Sequence, residues 1–356
     1  MMKLLLGEIS DKGYSIVEVL IVIVILGLVT TGLTVTFITG QREYSERDTT
    51  IRMQQQARLA MSFMERDIKM AGSGLANLGN LKINVYTGTP TITTWGMVQW
   101  GDGGSGGPDS ITILYQNPTS PTDEEKGGEK PAQVTLSADY PSSKPNNLLV
   151  SSSTLTTDYK ESDLFLIYNP EDQTRPASLL QVSNVPAPGN WISHASGTKY
   201  PYNPPNATEL FPAGGYKKRG STVLSLSAND IKRVTYFLDG DKLVRNEWSS
   251  TTKQTQRHFV ATGIEDLQVR YQFKDGTWRD DMDSSTGSSH DVKDVRGARI
   301  SIIARTAKPD PRYQSTQAFQ LTGPLGNGKV YSGGGYRRMT MSTMVSLRNL
   351  AMRNTP

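Results

Sequence analysis

The chain has 356 residues, no cysteine and a formal net charge of +4. The lack of cysteine excludes disulfide bonds and metal sites built from thiolates. The charge imbalance is too small to indicate nucleic-acid binding by itself. The length is enough for one large domain or two modest ones.

The first feature along the chain is an uncharged, mostly apolar run from Val19 to Gln41. About 20 apolar residues span the hydrocarbon core of a bilayer as a helix. Glu18 lies at the edge of this run, where a charged group is costly and usually functional. The run therefore predicts a membrane-spanning helix, and Glu18 is a candidate functional residue. An ordinary signal anchor would show the same apolar run.

The residues before this run differ from a secretory leader. Two lysines and two acidic residues give residues 1–13 a formal charge of zero, and Met1 and Met2 are both candidate start residues. A secretory signal has its small-residue cleavage site after the apolar core. Here the small residue, Gly13, comes before it.

The helix is predicted to continue beyond the apolar run. Residues 42–71 contain neither proline nor glycine, and Gly72 and Gly74 then favour a helix end. Apolar residues recur at steps of three and four, which indicates one apolar helix face: Met53, Ala57, Ala60, Met61, Met64 and Ile68. We expect one helix from Tyr14 to Ala71, about 85 Å long. Its second half should pack one face against a globular head.

Residues 73–356 are predicted to form that head, rich in antiparallel strands. Short alternating or β-branched runs lie between turn residues, at Ser110–Tyr115, Asp163–Tyr168, Ser178–Ser183, Ser221–Leu226, His258–Ala261, Leu267–Phe273, Ala298–Ala304 and Arg338–Arg348. The clearest signal is a hairpin, in which Asp239-Gly240-Asp241 joins Ile231–Leu238 to Lys242–Trp248.

Two blocks, at about 75–165 and 186–220, look irregular. They are rich in Gly, Pro, Ser and Asn, and are predicted to be long surface loops or a small inserted subdomain. Within them, Gly101–Pro145 and Pro186–Pro212 are candidate partner-binding loops, because binding residues often lie on loops of a rigid scaffold.

Candidate metal and cofactor sites are weak. Asp280, Asp281 and Asp283 crowd a Ser- and Gly-rich loop, and calcium binds oxygen ligands of this kind. Gly287 comes one position late for a calcium-binding EF-hand and no Glu closes the loop, so a solvated hairpin loop is favoured. No cofactor motif and no enzyme signature is present. The three histidines lie far apart: His194, His258 and His290.

Two basic clusters are candidate contacts for nucleic acid. One is Lys217-Lys218-Arg219, and the other consists of Arg337, Arg338, Arg348 and Arg353. Tyrosines lie beside both clusters, as in proteins that bind phosphates and stack bases. Solubilising charges at strand ends are the favoured interpretation, so nucleic acid is not an expected partner.

The N-terminal pattern resembles the type IV pilins and the related type II secretion pseudopilins. The matching residues are Gly13, Tyr14, Glu18 as fifth residue after Gly13, and Gly27 as fourteenth. The resemblance implies cleavage between Gly13 and Tyr14 by a prepilin peptidase, N-methylation of Tyr14, and a role for Glu18 in assembly. The chain departs from major pilins at Val35, where those usually carry a helix-kinking proline.

A second resemblance points to PilW-type minor pilins. It rests on residues 57–72, 260–271, 295–306 and 343–349. It implies an α+β, type IV pilin-like fold, with a long N-terminal spine helix packed on an antiparallel β-sheet head that carries long loop insertions. The implied segments are a prepilin leader (1–13), a transmembrane half-helix (14–40), an amphipathic half-helix (41–72) and the head (73–356).

The resemblance also implies a function without catalysis. A minor pilin helps to initiate a type IV pilus and sits at or near its tip, where its head binds a partner. The implied partners are the prepilin peptidase, other minor pilins, the major pilin and a tip adhesin. The chain would begin in the inner membrane with a periplasmic head and end at the cell surface. The alternatives are a J-type pseudopilin of a type II secretion system, or an uncut, membrane-anchored periplasmic binding protein or enzyme.

Overall fold

The computed structural model describes residues 13–75, 82–88, 92–104, 106–117, 133–140, 146–151, 159–172, 174–186, 189–206, 209–226, 231–280, 292–321 and 329–351. The rest of the predicted leader, 1–12, lies outside the described residues. The chain divides into two compact units, residues 1–52 and 53–356. One helix contributes residues to both.

That helix, α1, spans Ile16–Met70 without interruption, which confirms the prediction to within two residues at each end. Its first turn is capped by Ser15, whose carbonyl accepts from the amide of Glu18 and whose Oγ accepts from that of Val17. The helix ends before Gly72, which has a positive φ of 72°. The Gly72 amide then donates to the Leu114 carbonyl, so the chain turns directly onto a strand of the head.

In the first unit, α1 is long and apolar enough to cross a membrane, by length and composition. Four of its threonines donate their hydroxyls to the carbonyl four residues earlier, at 2.8–3.0 Å: Thr31, Thr34, Thr36 and Thr39. Bonds of this kind let polar side chains sit in an apolar helix at little cost.

The second unit contains seventeen described strands in four sheets, numbered in chain order. The six-stranded sheet has the order β2-β1-β8-β7-β10-β5 and is built from β1 (Lys82–Tyr86), β2 (Ile92–Gly96), β5 (Gln133–Thr135), β7 (Leu164–Tyr168), β8 (Ala177–Gln181) and β10 (Thr222–Ser225). The five-stranded sheet has the order β13-β12-β11-β4-β3 and is built from β3 (Val98–Gly101), β4 (Ser110–Gln116), β11 (Ile231–Asp239), β12 (Lys242–Ser249) and β13 (Thr255–Thr262).

The remaining strands complete the head. The four-stranded sheet has the order β15-β14-β16-β17 and comprises β14 (Ile264–Phe273), β15 (Trp278–Arg279), β16 (Val295–Arg305) and β17 (Arg338–Ser346). A two-stranded sheet pairs β6 (Asn147–Leu149) with β9 (Trp191–Ser193). A 3-10 turn at Val292–Asp294 and a short helix α2 (Arg348–Ala351) flank β16 and β17 in sequence. Among the described pairs only β1 and β8 are parallel, so the predicted antiparallel, α+β character is confirmed.

The main core lies between the second part of α1 and these sheets. All six residues of the predicted apolar face are buried in it: Met53, Ala57, Ala60, Met61, Met64 and Ile68. They share one apolar cluster with residues from the three larger sheets, among them Ile83, Leu166, Ile111, Leu243, Leu267 and Ile300. The prediction that the helix face packs against the head is therefore confirmed.

A second core lies on the other side of the six-stranded sheet. Strand β7 is buried on both faces, since Leu164 and Leu166 join the main core while Phe165 and Ile167 join the second. The second core also holds Tyr140, Leu180, Ile192, Phe211 and Tyr216. The sequence prediction missed seven described strands, all of five residues or fewer: β1, β2, β3, β5, β6, β9 and β15. All but β15 lie in the blocks at about 75–165 and 186–220, whose Gly-, Pro- and Ser-rich composition predicted irregular structure.

Candidate functional site

The N-terminal end of α1 is open in the described structure. Tyr14 is 81 % exposed, and no atom lies within 4 Å of the position that a Cβ on Gly13 would occupy. Packing in this chain therefore does not require glycine at position 13. Glu18 lies in the first turn of α1, where a carboxylate interacts favourably with the helix dipole.

The apolar side chains that follow have no partner within the described chain. Every large apolar residue from Ile16 to Ile38 is at least 40 % exposed. Three glycines interrupt this surface, Gly27, Gly32 and Gly40, and a Cβ added to any of them would meet no other atom within 4 Å. A glycine inside a helix costs about 1 kcal/mol relative to alanine. The chain itself offers no packing reason for that cost, and small residues in membrane helices allow close approach of another helix.

Asp67 is the site residue that the sequence prediction missed. It lies on the packed face of α1 and is 2 % exposed. Its Oδ2 accepts from the hydroxyl of Tyr236 at 2.7 Å and from Nε of Arg245 at 2.6 Å, and Arg66 pairs with its Oδ1 at 3.2 Å. A signal was present, because position 67 falls three residues after Met64 and directly before Ile68, within the apolar stripe.

The pKa shifts around Asp67 follow from burial and charge. Burial would by itself lower the pKa of Arg245, but its bonds to Asp67 and Glu247 raise that pKa above the ordinary value. Burial raises the pKa of Tyr236, and the nearby Asp67 carboxylate raises it further. Lys232 and Arg245 both pair with Glu247, so the cluster is a network of charges. It joins α1 to β11 and β12 and sets the position of the helix on the sheet.

The calcium candidates do not form a site within the described residues. Asp280 pairs with Arg270 at 3.0 Å, whereas Asp281 and Asp283 lie outside the described residues. No group of three His, Asp or Glu side chains suited to a metal ion occurs in the described ranges. A nearby carboxyl, Asp109, is buried beneath β14 and accepts from the amides of Val269 at 2.9 Å and Gly103 at 3.3 Å. Burial raises the pKa of Asp109 to about 6.

The histidines are not gathered in one place. His194 is buried in the second core, where its Nε2 lies 2.7 Å from the Tyr140 hydroxyl. Burial lowers the pKa of His194 to about 4, so the ring is neutral at pH 7. His258 is exposed on β13, and His290 lies outside the described residues.

Among the described members of the two basic clusters, three form ion pairs with acids, Lys217, Arg337 and Arg338, while Lys218, Arg219 and Arg348 are exposed. Lys217 pairs with Asp139 at 3.3 Å, and the Lys218 amide donates to the same carboxylate. Arg338 is buried and binds both oxygens of Glu265, at 2.6 and 3.2 Å. In the same cluster Arg337 pairs with Asp310 at 3.6 Å, and Arg353 lies outside the described residues.

The segment Pro186–Pro212, predicted to be a long surface loop or part of a small inserted subdomain, is fastened to the head at several of its described residues. Asn203 fastens the segment to β8, because its side chain donates to the Gln181 carbonyl at 2.7 Å and accepts from the Gln181 amide at 2.8 Å. Leu210 and Phe211 lie in the second core. Of the other candidate loop, Gly101–Pro145, residues 118–132 and 141–145 lie outside the described residues.

Two family models match this chain. The model for the prokaryotic N-terminal methylation motif matches residues 10–34. The model for type IV pilus-assembly protein W, PilW, matches residues 231–349, which span β11 to β17 and the start of α2. The first match contains Gly13, Tyr14 and Glu18, and the second contains the strands that bury the helix face. The matches confirm both resemblances drawn from the sequence.

A solved structure was also found to be similar. It is a type IV-like pilin from Thermus thermophilus, with 10 % identity and a TM-score of 0.37, over 84 % of this chain and 98 % of that one. That TM-score is too low to support a statement about this chain. No curated protein matches the sequence.

Proposed function

We propose that this PilW-like type IV pilin is a minor pilin that joins the pilus through α1 and helps to start its assembly. The observation that carries the proposal is the first part of α1. It is an exposed apolar surface with one carboxylate, Glu18, at its N-terminal end. In water this surface would be unfavourable, so it must lie in lipid or against other helices.

Processing would prepare the helix for assembly. A prepilin peptidase cuts between Gly13 and Tyr14, and Tyr14 is then N-methylated. Support comes from the match to the methylation motif and from the open surroundings of Gly13. A peptidase needs access to the backbone at the cut, and glycine offers no side chain to obstruct it.

Glu18 would then act as an assembly residue. In lipid its charge costs about 3 kcal/mol on insertion scales. The N-terminal ammonium of a neighbouring subunit could offset this cost, because opposite charges attract strongly at low dielectric when they lie close together. Gly27, Gly32 and Gly40 would let a neighbouring helix approach the same surface.

The head supports a place at or near the pilus tip. Beyond the main core that packs on the helix, it carries a second core on the other side of the six-stranded sheet. Such bulk is difficult to fit into a repeating shaft, whereas a tip subunit has no subunit above it. Before assembly the head would be periplasmic, and afterwards the tip would carry it to the cell surface. Other minor pilins, the major pilin and a tip adhesin would be its partners.

The central test compares matched variants of the full chain in its own cell. Gly13→Val should accumulate uncut precursor, and mass spectrometry of the wild-type pilus fraction should find a methylated N-terminus at Tyr14. Glu18→Gln should be inserted and cut but recovered poorly in sheared pili. The control Glu43→Gln changes an exposed carboxylate on the same helix, beyond the apolar run, and should assemble normally.

Two results would overturn parts of the proposal. An assembled protein that begins at Met1 or Met2 would exclude prepilin processing, and equal recovery of the Glu18 and Glu43 variants would exclude the pairing role. Position is tested separately by immunogold labelling, which should mark pilus ends. Even labelling along the shaft would contradict the tip location. Loss of secretion with normal pili in a deletion strain would favour the pseudopilin alternative.

A further inference from the structure

The peptide bond between Gly13 and Tyr14 lies next to the start of α1. Residues 13–15 have no regular structure, and the helix begins at Ile16. Residues 1–15 contain no proline, and a glycine weakens a helix without ending it. Another residue must therefore set the point at which the helix begins.

Ser15 sets that point. Its Oγ accepts from the amide of Val17 at 3.3 Å, and its carbonyl accepts from the amides of Glu18 at 3.0 Å and Val19 at 3.2 Å. Serine is a preferred N-cap residue, because its side-chain oxygen satisfies an amide that has no partner within the helix. The Ser15 cap therefore favours a helix that starts at Ile16 over one that runs back towards the leader.

The amide that Ser15 binds is the one that would otherwise bind the Gly13 carbonyl. In an α-helix each amide donates to the carbonyl four residues earlier, so in a helix extended towards the leader the Val17 amide would donate to Gly13. Within the described residues no backbone amide donates to the Gly13 carbonyl, and Tyr14 is exposed. The carbonyl at the predicted cut is free because the Val17 amide has Ser15 Oγ as its partner.

We propose that Ser15 is a positioning residue for cleavage between Gly13 and Tyr14, an inference that rests on the proposed processing. Hydrolysis adds water to the Gly13 carbonyl carbon and breaks the bond from that carbon to the Tyr14 nitrogen. The nitrogen takes up a proton and leaves as an amine. A carbonyl bonded inside a helix must first lose that bond, whereas the Ser15 cap keeps it open before the peptidase binds. Without the cap only a fraction of the chains would be competent for cleavage.

The test measures cleavage of the full precursor in detergent by the prepilin peptidase of the same cell. Ser15→Ala removes the cap oxygen and introduces the residue that most favours a helix. The KM for the precursor should rise by about two- to fivefold, because fewer chains are competent, while kcat should not change. Ser45→Ala makes the same substitution at an exposed position well inside α1 and should leave both constants unchanged.

Two pairs of variants with similar shapes separate capping from direct contact with the peptidase. Ser15→Thr and Ser15→Asn keep a cap oxygen and should retain the wild-type KM. Ser15→Val and Ser15→Leu resemble them in shape without the oxygen, and should behave like Ser15→Ala. A KM for Ser15→Asn as high as that for Ser15→Leu would overturn the capping role, because a hydroxyl in contact with the enzyme would then explain the effect.

A second readout needs no peptidase. In the uncut precursor the carbon-13 chemical shifts of the Gly13 carbonyl and the Tyr14 Cα should move towards helical values in Ser15→Ala, and should stay at wild-type values in Ser15→Thr. If the wild-type chain is cut between Gly13 and Tyr14 and Ser15→Ala has the same KM, this inference is wrong while the proposed processing stands. A wild-type chain that the peptidase leaves uncut would overturn the proposed processing and this inference with it.

Discussion

The two cores of the head bury ionisable side chains in different ways. In the main core Asp67 is paired with the Arg245 guanidinium and the Tyr236 hydroxyl. In the second core His194 bonds to the Tyr140 hydroxyl, and burial holds the pKa of the ring at about 4, so it is buried without charge. A buried group can therefore keep its charge where partners surround it, and must lose it where they do not.

The largest effect should come from a charge placed in the main core without a partner. Met64 is fully buried between α1 and the sheets. Met64→Asp buries a carboxylate without a partner and should cost more than about 5 kcal/mol, the lower end of the stability of a typical domain, so the head should unfold. The measurement is near-ultraviolet circular dichroism of the full chain in detergent. Ser62→Asp makes the same change at an exposed position of the same helix and should retain the spectrum. A folded Met64→Asp head would show that the helix face does not pack there.

Removing the charge of Asp67 should have the next largest effect. Asp67→Asn leaves the buried Arg245 with Glu247 as its remaining carboxylate partner, so the cost should lie at or below the ~3–5 kcal/mol of a fully broken buried ion pair. Urea unfolding of the full chain in detergent measures this. Asp48→Asn breaks an exposed pair with Arg52 and should cost less than about 1 kcal/mol.

A double variant sharpens the comparison between charged and apolar burial. Asp67→Leu with Arg245→Met removes both charges, and should recover most of the stability that Asp67→Asn loses. If the double variant is no more stable than the single one, the cost does not arise from the Arg245 charge that has lost Asp67.

The smallest effect concerns His194 and depends on pH. The pKa of its ring is about 4 in the folded chain against an ordinary value of 6.5. Between these values the unfolded chain binds the proton and the folded chain does not, so stability falls as the pH drops from 6.5 to 4, by about 3 kcal/mol. His194→Gln should remove this loss, whereas His258→Gln, at an exposed site, should keep it.

The measurement for His194 is a series of urea unfolding curves between pH 4 and pH 7. Asp109 has the opposite effect on stability, because burial raises the pKa of its carboxyl from 3.8 to about 6. Between these values the folded chain binds the proton and the unfolded chain does not, so the free energy of unfolding falls as the pH rises. Wild type and variant must therefore be compared at each pH. An identical pH dependence in both would show that His194 is accessible to protons in the folded chain.

The sequence alone predicted the elements whose signals are local. The apolar run, the apolar face from Met53 to Ile68 and the helix end at Gly72 are patterns within one continuous stretch of sequence, and the bounds of α1 agree with them closely. The hairpin of β11 and β12 was recognisable because a turn residue pair lies between two adjacent strands. The N-terminal motif around Gly13 and Glu18 was visible for the same reason, since all of its residues lie within one short stretch.

Tertiary structure alone decided what depends on residues far apart in the chain. Asp67 meets Arg245 across 178 positions, and β4 lies beside β11 although more than a hundred residues separate them. The short strands of the second core become strands only because neighbours complete their ladders. The position of β17 at the edge of its sheet likewise depends on the order in which the four strands pair. Local periodicity can encode a helix or a hairpin, but long-range partners are chosen by the packing of the whole core.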